Sequence, residues 1–340
     1  MSTNVNSEGG QKMPTFIETH PECVIDSTCE YPRPDYLLYQ NGVGFAAKGN
    51  ILALKGKAKA GKNFSEALLI ASLLGCEKFG LKSGLGKKTI RVIHEDTDQH
   101  HYHTALTKQR VQRLLGWNAK ENQSELTFVN TRNMDAKGRK LCLLRVIKEE
   151  HPDVMILDNA LHIYSDFNDP TGSRKFVDEL ITLADENNCL LMVVLHENKS
   201  SGDSNMKGHL GTMLAESASD VFEVVKDGNK HYLKHVTSRD KSIEPITFII
   251  NDEGLPQLAT SAAMEKKEKM EAEKRTQRNK AFAEILDGGV IMTYGELVSA
   301  FCDNMNCGTT KAAEDLKSAV EEEIVTKTDD RQYHLNVEPF

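Results

Sequence analysis

Gly56-Lys57-Ala58-Lys59-Ala60-Gly61-Lys62-Asn63-Phe64 carries the pattern with the clearest chemistry in this chain: a glycine, four residues, then a Gly-Lys pair. Glycines at these places let successive backbone N–H groups turn inward on an anion, and a helix starting just after them adds positive potential. Lys62 is placed to reach the terminal phosphates of a nucleotide. All nine residues are therefore candidate nucleotide-binding residues. The position after the lysine ordinarily carries a Ser or Thr whose hydroxyl ligates Mg²⁺. Here it is Asn63, whose amide oxygen is a fair donor for a hard cation but sits one atom further from the backbone. Binding of ATP with Mg²⁺ is expected more firmly than fast hydrolysis.

Three further clusters extend this chemistry. Val154-Met155-Ile156-Leu157-Asp158 is an apolar strand ending in an acid, and such a carboxylate beside a phosphate loop helps to hold Mg²⁺. Residues 90–99 end in Glu95, Asp96 and Asp98, of which Asp98 and Glu95 are candidates to polarise an attacking water. Histidines 94, 100, 101 and 103 lie close by, but their spacing fits no zinc pattern and no cysteine joins them, so most of them read as loop or helix-start residues. Residues 190–196 form another apolar strand ending in His196, a neutral imidazole placed to sense a terminal phosphate. A Gly/Ser/Asp-rich loop over 200–207 follows it.

These residues need an alternating scaffold. Apolar runs at 51–54, 90–94, 126–129, 154–157 and 190–195 predict buried parallel strands. The segments 65–74, 102–115, 136–149 and 173–187 predict helices, with Leu141, Leu144 and Ile147 on one apolar face and Phe176, Leu180 and Leu183 on another. Candidate strands at 231–237 and 245–250 suggest a hairpin-like end to the domain. The fold class is α/β, with a mostly parallel, doubly wound sheet.

Four regions result. Residues 1–38 read as an extension with little regular structure, 39–260 as the α/β domain, 261–281 as a charged helical linker and 282–340 as a small domain. In the last, Phe282, Ile285 and Leu286 share a helical face, Thr293 and Glu296 make a capping box, and a third helix spans 310–323. A hairpin over 324–335 closes it, so the small domain is expected to be winged-helix-like.

Composition narrows the class. With a net charge of −8, the 340-residue chain does not suit wholesale coating of nucleic acid, although a local basic channel would. Seven cysteines without a Cys-x-x-Cys pair point to reduced thiols. There is no membrane-length apolar run and no signal-like start, so a cytoplasmic protein with no membrane partner is expected.

With these motifs in order, the chain resembles the RecA-like ring ATPases with a P-loop NTPase core, and in particular the plasmid RepA-type replicative helicase branch. GKAKAGKNF, VIHEDTDQHHYH, VMILDNA and VLHENK followed by MKGHLGT carry the likeness over about residues 40 to 250. The resemblance implies that Asp98 stands where a glutamate activates water, and that Asp158 is the metal-proximal acid. It implies that His196 couples phosphate state to the loop after it. Arg239, in Ser238-Arg239-Asp240-Lys241, matches a basic finger lent to a neighbour's nucleotide, with Lys207 and Lys241 as further trans or nucleic-acid contacts. It also implies single-stranded DNA, a homo-oligomeric ring, possibly a hexamer, and a replication or mobilisation partner. Two other readings compete: a nucleotide-switched DNA-binding regulator or partition-type protein, and a small-molecule phosphotransferase with Arg110 and Arg113 as its lid.

Overall fold

The computed structural model describes residues 14–84, 89–198 and 205–336, without the side chains of Glu22 and residues 261–268. The chain divides into Met1–Asp35 and Tyr36–Phe340. In the first unit, a single-turn helix α1 (Phe16–Thr19) is closed by a capping box, with Glu18 and Thr15 each bonding the other's backbone N–H.

The second unit begins with a hairpin, β1 (Tyr36–Gln40) and β2 (Val43–Ala47). Its two-residue turn is Asn41-Gly42, both at positive φ, as the right-handed twist of paired strands requires. Then come β3 (Ile51–Gly56), α2 (Lys62–Leu73), β4 (Lys82–Ser83), β5 (Val92–Asp96), α3 (His101–Leu115), β6 (Leu126–Asn130), α4 (Ala136–Glu150), β7 (Val154–Asp158), α5 (Pro170–Glu186) and β8 (Leu190–His196). After α6 (Gly208–Ser217), the strands β9 (Asp220–Asp227), β10 (Lys230–Ser238), β11 (Ile246–Ile250) and β12 (Pro256–Leu258) complete the main sheet.

That sheet has nine strands in the order β12-β11-β10-β9-β3-β8-β7-β5-β6. From β9 to β6 all pairs are parallel; from β9 to β12 they are antiparallel. The central strands are continuous apolar runs because both faces are covered. Their alternation deals residues to two cores. Leu52, Leu54, Ile156, Met192 and Val194 pack with Leu68 and Ile70 of α2 and Val111 of α3. Ile51, Ala53, Met155, Leu157, Leu191 and Val193 pack with Leu143 of α4, Phe176 of α5 and Leu210 of α6.

Three local expectations need correction. In α4 the inward pair is Leu143 and Ile147, spaced i, i+4, whereas Leu141 is 55 % exposed, because it lies two residues from Leu143 and so about 200° around the helix from it. Strand β6 is an edge strand with only Leu126 fully buried, not a central one. The strand before the acids runs two residues further than read, so Glu95 and Asp96 lie inside β5 and are buried.

Beyond β12, α7 (Ser261–Ile285) leads into β13 (Met292–Thr293), α8 (Tyr294–Met305), α9 (Thr309–Glu321), β14 (Val325–Lys327) and β15 (Gln332–Leu335). The three short strands pair in the order β13-β15-β14. A separate apolar cluster joins Phe282, Leu297, Phe301, Leu316, Val325 and Tyr333, with Phe282 and Phe301 stacked at 4.3 Å. Thr293 and Glu296 form the expected capping box. Among the described residues, no helix is long and apolar enough to cross a membrane.

Candidate functional site

Strand order determines which residues meet. β8 is inserted between β3 and β7, and all three run parallel, so their C-terminal ends share one edge of the sheet. Gly56, the last residue of β3, is the register partner of His196, the last residue of β8. Asp158 ends β7 next door, beside Asp96 of β5. The loop from Gly56 turns directly into α2 through Gly61, which sits at φ +99° as the helix N-cap. A Cβ at Gly61 would also lie 2.6 Å from the His231 ring, so glycine is required there twice over. His231 closes the loop from the other side, its Nδ1 2.8 Å from the Ala60 carbonyl and its ring stacked on Phe248.

A cleft of about 380 Å³ opens at this edge. Lys62, Asn63, Asp98, Asp158 and His196 all line it. Phe64, His103 and Arg110 line it as well. Lys62 is only 7 % exposed. Its ammonium donates to the carbonyls of Gly56 (2.9 Å) and Lys57 (3.2 Å) and to Nδ1 of His196 (2.9 Å). Burial lowers its pKa, while Asp158, Glu66, Glu197 and Asp98 pull it back up. His196 is pushed down to about 4, first by burial and then by the Lys62 ammonium, so the imidazole is neutral and Nδ1 is an acceptor. The His196 carbonyl accepts from the Lys207 N–H at 3.0 Å, so the strand end is tied to the start of α6.

Asp158 is buried, and its carboxyl is raised well above the usual range, first by burial and then by the negative charges of Glu66 and Asp96. Crowded carboxylates of this kind fit a divalent cation, and the Asn63 amide and Asp158 carboxylate are hard oxygen donors suited to Mg²⁺. Asp98 is about half exposed, 4.0 Å from Nε2 of His162, and its N–H donates to Asp96. Glu95 does not share the cleft. It points to the opposite side of β5, where it accepts from the Thr131 hydroxyl at 2.8 Å. Arg110 is stacked over Phe64 at 4.1 Å and donates to the Gly254 carbonyl, which leaves it poorly placed to act as a mobile phosphate lid.

The remaining expected residues lie away from this cleft. Arg239 and Lys241 are exposed after β10, with Arg239 donating to the Ser217 carbonyl. Lys207 caps the entrance to α6 with its ammonium over the Phe167 ring at 4.8 Å. Most of the loop expected over 200–207 lies outside the described residues. Of the four clustered histidines, His100 caps α3, whereas His94 belongs to the strand expected over 90–94: it is buried in β5 and stacked on Phe128. Sequence reasoning missed the pairing of His94 with Glu66 of α2, because only the placement of β5 under that helix reveals it.

Glu95 has its own consequence. Burial raises its pKa from 4.5 to about 7, against the pull of the Thr131 and Cys142 hydrogen bonds. The folded chain therefore holds this proton to higher pH than the unfolded chain, and stability falls as pH climbs from about 4.5 to about 7. The loss is on the order of 3 kcal/mol at most. Urea midpoints of Glu95→Gln are expected to show a flatter pH dependence across that window; an unchanged slope would assign the effect elsewhere.

A family model described as an AAA domain matches residues 18–202, more than half of the chain, and the chain belongs to that family. None of the curated proteins compared matches it.

Proposed function

We propose, from membership of the AAA domain family, that this chain is an ATP- and Mg²⁺-dependent, slowly hydrolysing protein of RecA-like type acting on single-stranded nucleic acid, close to the plasmid RepA-type helicase branch. The observation that carries the reading is the convergence of Lys62, Asn63, Asp98, Asp158 and His196 on one cleft at the sheet edge. Amides of residues 56–63 cradle the phosphates. Asn63 and Asp158 hold Mg²⁺, which when bound neutralises phosphate charge. Asp98 orients water.

The contacts of Lys62 suggest how the nucleotide is sensed. An incoming triphosphate competes with the Gly56 and Lys57 carbonyls and with His196 for the ammonium. His196 then loses its donor, and movement of the strand end passes to Lys207 through their backbone hydrogen bond. Lys207 and Lys241 face nucleic acid or a neighbour, and Arg239 completes a neighbouring subunit's site in a ring, where a lent cation offsets charge on the transferred phosphoryl group.

The end of α7, α8, α9 and the β13-β15-β14 sheet form a winged-helix-like domain in this reading. On α9, Lys311 is paired with Asp315 and Lys317 with Glu321. Those pairings suit protein contact better than DNA reading. ATP turnover measured with and without single-stranded DNA tests the proposal. Stimulation of at least about threefold is expected. Tight binding with no turnover under either condition would instead favour a nucleotide-switched regulator.

A further inference from the structure

Behind the cleft lies a second group of donors that the nucleotide chemistry does not use. Glu66 follows Asn63 by three residues on α2, one helical turn deeper, and is 1 % exposed. Its Oε2 is 3.0 Å from Nε2 of His94, which is also 1 % exposed. Glu66 Oε1 has no hydrogen-bond partner among the described residues. One oxygen each from Glu66 and Asp158 and one ring nitrogen of His94 all lie within 4.8 Å of one another. The imidazole is held in place by Phe128, stacked at 4.4 Å with the rings 8° from parallel.

A buried carboxylate with a bare oxygen is costly unless something positive meets it. Lys62 and Arg110 are the nearby cations, and Lys62 is the group a nucleotide would draw away. Two carboxylates and one imidazole make a mixed oxygen and nitrogen donor set. Mg²⁺ prefers oxygen alone, whereas an imidazole nitrogen favours first-row transition metals. We propose that Glu66, His94 and Asp158 bind one divalent transition-metal ion of the Mn²⁺, Co²⁺ or Zn²⁺ class, set deeper than the nucleotide's Mg²⁺ and sharing Asp158 with it. Only the sharing depends on the nucleotide reading, since Glu66 and His94 are absent from the cleft lining. The competing account is a plain Glu66–His94 hydrogen bond pinning α2 to β5.

Metal binding to the full chain, stripped with chelator and free of nucleotide, separates the two. Titration with Co²⁺ is expected to saturate at one equivalent with a visible d–d band. His94→Gln should weaken binding at least about tenfold and remove the band, while His101→Gln at the exposed start of α3, outside the cleft lining, leaves both intact. Electron spin-echo modulation of Mn²⁺ bound to the unaltered chain should show coupling to an imidazole nitrogen, a readout that survives even if His94→Gln does not fold. The proposal is overturned by a band that persists in His94→Gln, by the absence of nitrogen coupling, or by no saturable binding. Those results would leave the nucleotide site standing, because that site is judged by ATP-analogue affinity alone.

Discussion

Lys62→Ala is expected to weaken binding of a fluorescent ATP analogue at least about a hundredfold, the equivalent of about one or two charge-assisted hydrogen bonds. The ammonium is the cleft's most enclosed cation, and its present partners are two backbone carbonyls and a neutral imidazole. A phosphate oxygen outcompetes all three, because it returns charge to a group that burial has left short of solvent. Lys59→Ala is the matched control. Lys59 lines the same cleft but is exposed, so its loss should cost far less. Removing Lys62 also takes away a charge that offsets Asp158 and, together with Arg110, Glu66, and the unliganded variant should melt lower than the parent. A Lys62→Ala chain that stays folded and binds the analogue as tightly as the parent would remove the phosphate loop from the account.

The parts of this arrangement that were legible in the sequence are those in which one strand speaks for itself. β3, β7 and β8 are apolar runs, broken only by Lys55 in β3, because helices cover both faces, and each ends in the residue that chemistry wants: Gly56, Asp158 and His196. The hairpin of β1 and β2 carries its own signal in Asn41-Gly42, but it straddles the expected start of the domain at residue 39, which leaves the first three residues of β1 in the extension and the turn and β2 in the domain. β9 was missed because Glu223, Lys226 and Asp227 interrupt Val221, Phe222 and Val224, so a strand buried along half its length reads as polar. The pairing of Glu66 with His94 depends on which strand lies beneath α2. That is a property of strand order, and no local pattern encodes it.

Two departures in the cleft predict the second large effect. Asn63→Thr combined with Asp98→Glu is expected to raise ATP turnover at least about tenfold over the parent chain, which corresponds to about 1.4 kcal/mol of barrier. Asn63 offers its amide oxygen one atom further out than a hydroxyl would be, and Asp98 carries its carboxylate one methylene nearer the backbone than a glutamate. In the proposed roles, one displaces the metal ligand outward and the other holds the water-orienting group back, by about 1.5 Å, a single C–C bond. Asp98 is also distracted, half exposed with His162 within 4.0 Å. A misplacement on this scale in a positioning residue is enough to account for a slow reaction. Each single change should yield only part of the gain, because both act on one transition state and their effects are coupled rather than additive. Phosphate release under saturating ATP and Mg²⁺, beside analogue binding for the same variants, provides the measurement. Equal binding with turnover unchanged in the double variant would mean that the brake lies outside this subunit's own cleft, and the proposed contribution of Arg239 to a neighbouring subunit's site would become the step to examine.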